Sequence, residues 1–507
     1  KQDVFITLNV IEGERYQVSS VKLAGDFTIP EDEIRKLVTI KPGDVFSRDR
    51  LNDSTKAIGE RLGKEGYAFA NVNAAPEIDK EKRQVAFTIF VDPGKRVYVR
   101  RINVSGNTKT RDEVVRREMR QMEGAWYDSE RVTASKLRLD RLGFFSEVAV
   151  ETPAVPGTSD QVDVDMKVTE KPTGNLMLGM GLSSTEGVVL SGSIAQNNFM
   201  GSGNNVAIQV NTGKINRTYS FSYTNPYFTK DGVSQGFDLY HRNIDSSSTA
   251  VSPYKSSSLG GGLRFGFPIS EKESLSFGIG LDTTTITIMD ASPLRYKEFV
   301  NEFGETNMTI PASMNWISDG KDSYLFPTTG VFQKAGLEVA IPGGDLTFYR
   351  ASYQLQTYYP ISKVFVLMLN GDVGYAGGYG DTTSLPFYKN FYVGGVNTVR
   401  GYKAGSLGPK DINGDSLGGS RRFVGNAELL FGLPGMEKSM RMGIFFDAGQ
   451  VYGQGQNMSI SDLRYSTGVS MSWISPIGPL KFSFARALNA QESDKPESFQ
   501  FQLGTTF

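Results

Sequence analysis

Arg400, Glu428 and Asp447 are the residues of this 507-residue chain whose types and placement could do specific chemistry, and that chemistry is ionic anchoring. Phe423, Ala427, Leu429 and Phe431 alternate with Glu428, so a strand there turns Glu428 to the opposite, wetter face. Ile444, Phe446 and Ala448 set Asp447 apart in the same way. If both strands line a lumen, two carboxylates stand on neighbouring inner walls and require a cation. Arg400 lies in a Gly-rich, strand-free stretch from Gly377 to Ser420, long enough to fold inward and offer both acids a planar, bidentate donor set. A strand-free segment of that length is uncommon and usually functional. The alternative is that both acids face lumen water and Arg400 caps its own loop.

Little else could react. There is no Cys, which removes disulfides, thiolate metal sites and a Cys nucleophile, and the one histidine, His241, has no partner at ligand spacing. Asp411-Ile-Asn-Gly-Asp415 has the acids of a calcium loop, but its glycine falls too early and the bidentate Glu is missing. A polar turn is expected there. Gly260-Gly-Gly262 and Gly394-Gly395 lie in or beside β segments, so they read as kinks or close packing and not as phosphate cradles. No Ser/His/Asp or paired-carboxylate catalytic arrangement can be assembled. The expectation is a protein that is no enzyme and needs no metal or cofactor.

The elements that must position Arg400 follow from composition and alternation. Basic and acidic residues balance at 54 against 55, which gives no electrostatic support for a nucleic-acid partner. With 56 Gly, 32 Phe and 22 Tyr, many-stranded β structure is expected and a helix bundle is excluded. No apolar run reaches the ~18–20 residues of a spanning helix. Yet Phe499-Gln-Phe-Gln-Leu-Gly-Thr-Thr-Phe507 puts Phe499, Phe501, Leu503 and Phe507 on one face and Gln500, Gln502 and Thr506 on the other. That is the pattern of a strand with lipid outside and a lumen inside.

The pattern recurs. Strands are predicted near 174–183, 186–196, 203–212, 216–225, 233–244, 257–267, 274–287, 307–317, 331–340, 347–359, 364–376, 421–431, 441–451, 464–474, 479–487 and 498–507. These make a transmembrane β-barrel of 16 antiparallel strands, an even number, closed so that no backbone edge meets lipid. Leu176, Leu178, Met180 and Leu182 would face lipid while Gly179, Gly181 and Ser183 line the lumen; Leu480, Phe482 and Phe484 face out, Lys481 and Ser483 in. Tyr223, Tyr227, Phe228, Tyr358 and Tyr359 would sit in the interfacial girdles. A soluble β-sandwich would also alternate, but it does not account for sixteen segments ending on a Phe.

Before Thr169-Glu-Lys-Pro172-Thr-Gly174 the chain is charge-dense and carries helical signals, as in Pro30–Leu37 and Ser47–Gly63. This half repeats. Arg15-Tyr-Gln-Val-Ser-Ser-Val-Lys-Leu-Ala-Gly25 aligns with Arg96-Val-Tyr-Val-Arg-Arg-Ile-Asn-Val-Ser-Gly106, and Pro42-Gly43-Asp-Val-Phe46 with Glu123-Gly124-Ala-Trp-Tyr127. Each unit reads β-α-α-β-β, which resembles a POTRA domain. The expected division is 14–93 and 94–172 for two tandem α+β POTRA units, then a barrel over 173–507 with an inward loop at 377–420. Residues 1–13 match the final strand and exit turn of such a unit, with Gly13 equivalent to Gly94. No leader precedes them, so the expectation is a piece of a longer mature protein with a further repeat upstream. The edges of such three-stranded sheets could accept an extended segment from another chain.

Val399-Arg400-Gly401-Tyr402 stands in the long loop ahead of the fifth strand from the end. With the POTRA-like units before it and the terminal Phe behind, the chain resembles the outer-membrane assembly and secretion superfamily over essentially its whole length. The resemblance implies a Gram-negative outer-membrane protein with its POTRA units in the periplasm. It further implies the central subunit of a machinery that folds and inserts β-barrels. Partners would be unfolded outer-membrane barrel clients, accessory assembly lipoproteins, periplasmic chaperones and membrane lipid. In that family the loop arginine pins the loop to an acidic wall, which points to Glu428 and Asp447 here.

The expected working part is the seam between the first strand, with Gly174, Asn175, Leu176, Met177, Leu178 and Gly179, and the last, with Phe499, Phe501, Leu503, Gly504 and Phe507. Glycines there weaken pairing or merely relieve crowding. A seam that opens would let a client strand pair at the first strand's edge, and a cross-link near Met177 and Gln502 is expected to block it. Alternatives are a two-partner secretion pore or a TamA-like pore exporting a polypeptide, and a diffusion porin.

Overall fold

The computed structural model describes residues 14–503 apart from 248, 271, 324, 325, 363, 434, 437, 438, 476 and 477. The expected remnant at 1–13, and Gly504 and Phe507 of the expected last strand, lie outside the described residues. Two compact units emerge, Lys1–Thr173 with Met200–Gly203, and Gly174–Phe199 with Asn204–Phe507.

The first unit holds β1 (Gln17–Gly25), α1 (Glu31–Leu37), α2 (Arg48–Gly63), β2 (Asn71–Asp79) and β3 (Gln84–Asp92). Then come β4 (Tyr98–Ser105), α3 (Asp112–Arg116), α4 (Ser129–Leu142), β5 (Phe145–Glu151) and β6 (Gln161–Glu170). In each repeat the last strand takes the middle of the sheet, parallel to the first: β1-β3-β2 and β4-β6-β5. Alternation dictates this. Val85, Phe87, Ile89 and Val91 of β3 are buried in one cluster with Ile34, Ile58 and Leu62 from the helices. Val162, Val164, Met166 and Val168 of β6 do the same in the second repeat. Asp128 caps α4 by accepting from the Glu130 N–H at 2.9 Å, and Gly143 ends it in the left-handed region at φ 71°. Gly25 and Gly106, which close the aligned motif, have φ of +112° and +87°, and a Cβ on either would strike the Val91 or Val168 carbonyl. Only glycine fits.

Glu170 braces the turn that follows β4. Its carboxylate accepts from Thr108 Oγ1 at 2.8 Å, the Lys109 N–H at 2.9 Å and the Thr110 N–H at 2.6 Å. Burial alone would raise its pKa; the bonds from Thr110, Thr108 and Lys109 outweigh that and bring it down from 4.5 to about 2. A lowered folded-state pKa gives stability that is present above the ordinary carboxylate value and disappears as pH falls toward 2. Hydrogen exchange in the whole chain should therefore show the Thr110 amide protected until the pH nears 2. Glu170→Gln should cut that protection several-fold at neutral pH and flatten its pH dependence.

The second unit is one sheet. It comprises β7 (Gly174–Ser183), β8 (Gly187–Phe199), β9 (Asn204–Thr212), β10 (Asn216–Asn225), β11 (Ser234–Asp245), β12 (Lys255–Pro268) and β13 (Glu273–Thr287). After α5 (Leu294–Phe303) follow β14 (Thr306–Asp319), β15 (Gly330–Ile341), β16 (Phe348–Pro360), β17 (Phe365–Gly378) and β18 (Arg421–Gly432). The last are β19 (Met440–Tyr452), β20 (Arg464–Ser475), β21 (Gly478–Ala487) and β22 (Phe499–Leu503). Each strand pairs antiparallel with the next, and β22 returns to β7, closing a barrel of 16 strands. Leu178 and Met180 stand 80% and 71% exposed on the outside, as a lipid-facing wall requires. Leu480, expected to meet lipid, is buried, flanked on its ladder by the large side chains of Trp473 and Leu503.

Two expectations need correction. Beyond the boundary, where the sequence reads as strands, α5 buries Tyr296 and Phe299 against Tyr254, Phe387 and Leu346, with the Tyr296 and Phe387 rings stacked at 3.9 Å. The inward loop is not structureless either. It holds a short turn of helix at Phe387–Lys389 and the bridges Phe391↔Gly419 and Val393↔Leu407. Phe391, Val393, Val399, Tyr402 and Leu407 form a core with the inner-wall residues Phe348, Ala376, Val424 and Val451.

Candidate functional site

Arg400 is carried by this folded loop to the wall formed by β18 and β19. The ladder pairs Asn426 with Asp447 and Glu428 with Phe445, so all four side chains share the lumen face. Arg400 is 4% exposed, Glu428 7% and Asp447 0%. The guanidinium forks onto Asp447, with Nε to Oδ2 at 2.7 Å and Nη2 to Oδ1 at 2.7 Å, while Nη1 reaches Glu428 Oε2 at 3.0 Å. The Arg400 N–H also donates to Asp447 Oδ2 at 3.0 Å. Beneath the fork lies the Phe445 ring, its centroid 3.4 Å from the guanidinium carbon. Asn426 Nδ2 ties the two partners together, donating to Asp447 Oδ1 at 2.8 Å and to the Thr398 carbonyl at 2.7 Å. The remaining Glu428 oxygen accepts from the Ser470 hydroxyl. Every charge is thus bonded on several sides, the condition under which a buried ion set is tolerated.

The neighbours in the motif are spacers. Val399 is fully buried, and a Cβ on Gly449 would come within 2.7 Å of its Cγ2. Gly401 adopts φ +84° with Ala485 and Ser466 close by. The Tyr402 ring is buried and its hydroxyl donates to the Tyr465 carbonyl at 3.3 Å. Gly443 forms the floor under Glu428; a Cβ there would collide with the carboxylate and stand 2.5 Å from Ser470 Oγ. Gly443→Ala should loosen the anchor by ~1–3 kcal/mol, read as faster protease cleavage within 377–420.

The seam is the second feature. Between β22 and β7 the described ladder is Gln502↔Ser183 and Leu503↔Leu182, extended by a bond from the Ser184 N–H to the Phe501 carbonyl at 3.2 Å. On its other side β7 is paired without a break from Gly174↔Gln196 to Ser183↔Gly187. Gly174, Asn175, Leu176, Met177, Leu178 and Gly179 therefore have partners in β8 but, among the described residues, none across the seam. Phe499, Phe501 and Leu503 pair with Phe484, Phe482 and Leu480 of β21. The expected neighbourhood of Met177 and Gln502 is displaced: Gln502 stands opposite Ser183.

Asp411–Asp415 is a tight polar turn, with Asp411 Oδ1 accepting from the Asn413 and Asp415 N–H groups at 2.8 Å each and Lys495 Nζ on Asp415 at 2.6 Å. Sequence reasoning missed Asn426, Phe445, Ser470 and Gln500. The first two sit two residues from an acid on the same strand face, so parity could have found them.

A closed 16-stranded barrel with an arginine-anchored inward loop, preceded by two POTRA-type repeats, defines an outer-membrane barrel of the Omp85 class. The Omp85 superfamily domain profile matches residues 198–507, and the POTRA profile, described as a surface antigen variable number repeat, matches 16–94 and 97–171. The outer membrane protein assembly factor BamA of Neisseria meningitidis serogroup B is 38% identical over all of this chain, which spans 68% of that protein. The crystal structure of Haemophilus ducreyi BamA lacking POTRA domains 1–3 superposes with a TM-score of 0.87 at 30% identity, covering 97% of this chain and 100% of that one. CdiB from Acinetobacter baumannii, at 14% identity and TM-score 0.52 over 98% of this chain and 91% of its own, shares the fold alone. The chain belongs to the BamA family of outer membrane protein assembly factors. Its barrel lies in the outer membrane and its POTRA repeats in the periplasm.

Proposed function

We propose that this chain folds and inserts outer-membrane β-barrel clients by lending them a strand edge at the β7–β22 seam. The observation that carries the reading is the contrast between the seam's short described ladder and the unbroken β7–β8 ladder. A short ladder is the weakest line in a closed barrel, and parting it exposes the N–H and C=O groups of β7. A client strand with alternating faces then pairs there by β-augmentation. No covalent step or nucleotide is required, since burial of apolar surface in lipid and completion of backbone pairing supply the driving force. The anchored loop keeps the lumen filled while the wall opens. The outer strands β2 and β5 of the two POTRA sheets offer further edges, which would receive clients from chaperones and dock assembly lipoproteins.

Reconstitution tests this. The protein in vesicles of outer-membrane phospholipid should speed conversion of an unfolded barrel client to its heat-resistant, membrane-inserted form. An unchanged rate would overturn the proposal, and delivery of a soluble polypeptide across the vesicle wall would favour an export pore instead.

A further inference from the structure

Gln500 stands on the lumen face of β22, 1% exposed, with its amide between the last strand and the inward loop. Its Nε2 donates to the Tyr402 carbonyl at 2.8 Å and to Glu497 Oε2 at 2.9 Å, and its Oε1 accepts from the Gly401 N–H at 3.4 Å. The chain just ahead of β22 is held by the same loop. The Glu497 N–H donates to the Gly401 carbonyl at 2.9 Å, and the Lys403 N–H donates to the Lys495 carbonyl at 2.8 Å. Tyr402 and Pro496 form a β-bridge between them. Residues 401–403 thus act as a short extra strand laid along the approach to β22. Among the described residues, no hydrogen bond joins the loop to Gly174–Ser183.

We infer that Gln500 is a positioning residue, a latch that ties β22 to the Arg400-anchored loop. When the seam parts, β22 stays with the loop and β7 is the strand that swings away. The inference rests on the proposed opening at the seam and adds which side moves. The physical grounds are the unequal attachments of the two strands. Among the described residues β22 runs over Phe499–Leu503, and its ladder to β21 from Leu480↔Leu503 to Phe484↔Phe499. The loop bonds add to that ladder on the β22 side of the seam, where the Gln500 amide and the chain ahead of it are tied to residues 401–403. Losing the Gln500 amide would strand the buried Tyr402 carbonyl and Gly401 N–H without it. β7, by contrast, is bonded along its whole length to β8 and can move with it as a hairpin.

Spin labels on the outward positions Leu178 of β7 and Phe499 of β22, each measured against Leu337 on β15, test this in the full chain in lipid nanodiscs. The Leu178–Leu337 distance distribution should be about twice as wide as the Phe499–Leu337 one. In Gln500→Leu, of similar shape but without the amide, the Phe499 distribution should broaden to match, while the heat-resistant mobility of the barrel stays as it was. Equal widths in the unmodified protein overturn the latch whatever the variant does. So does an unchanged Phe499 distribution in a folded Gln500→Leu. Neither readout involves a client, so normal insertion by a seam-locked protein would reject the seam reading without touching this comparison.

Discussion

Arg400→Ala should destabilise the barrel by about 3–5 kcal/mol, because it removes the cation bonded to two buried carboxylates and leaves both behind. Asp447 is 0% exposed and accepts three hydrogen bonds from Arg400; Glu428 accepts one. The backbone N–H of residue 400 survives the substitution, so two of those bonds to Asp447 and the one to Glu428 are the true loss. The heat-resistant band of the barrel should disappear on the order of 10 °C earlier. Residues 377–420 should become open to protease. Arg400→Lys should recover only part, since a single ammonium cannot fork across Asp447 Oδ1 and Oδ2 while also meeting Glu428. Adding Asp447→Asn to Arg400→Ala should cost less than the two changes summed, because the stranded charge is gone. An Arg400→Ala protein that melts like its parent with a protected loop would show that the anchor contributes nothing.

Much of the fold was legible because a membrane barrel imposes a strict period of two. The strand predicted at 421–431 is Arg421–Gly432, and that predicted at 464–474 is Arg464–Ser475. Where the period breaks, the reading slips. The strand expected at 186–196 runs on to Phe199 through an irregularity between Gln196 and Phe199, where Asn198 takes φ 56°. α5 did carry a signal, apolar residues at Tyr296, Phe299, Val300 and Phe303 after Pro293, but it is one short helix in a half dominated by alternation. Parity likewise placed Glu428 and Asp447 on the inner face, since their neighbours had to meet lipid. Parity puts Phe445 and Gln500 on that inner face too, but it says nothing of the loop path, so it could not show that Arg400 lies over the Phe445 ring or Gly401 beside the Gln500 amide. Register across the seam was also hidden. Sliding a strand by an even number keeps every side chain on its face, and Met177 and Ser183 differ by six positions. The stagger of a closed barrel selects between them, and stagger is a property of the whole sheet.

That register decides where a lock must go. The Ser184 N–H donates to the Phe501 carbonyl, so the adjoining pair Ser183 and Gln502 is the non-bonded kind, with Cα atoms ~4.5 Å apart and within disulfide reach. Ser183→Cys with Gln502→Cys should oxidise readily, and the oxidised protein should lose nearly all insertion of barrel clients, with reductant restoring it. A control bond between Leu182→Cys and Val188→Cys staples β7 to β8, where the ladder is already continuous, and should leave insertion intact. Met177→Cys with Gln502→Cys should fail to cross-link in the resting protein. Bringing those positions together would require β22 to slide by six residues, ~20 Å at strand spacing. The locked protein separates two ways of helping a client. If the barrel only thins or disturbs the lipid around it, a staple between Ser183 and Gln502 changes nothing outside the wall and clients insert as before. If β7 must offer its edge, one covalent rung across the seam stops the reaction, because a bond that heat and lipid cannot break now stands beside described pairs that they can.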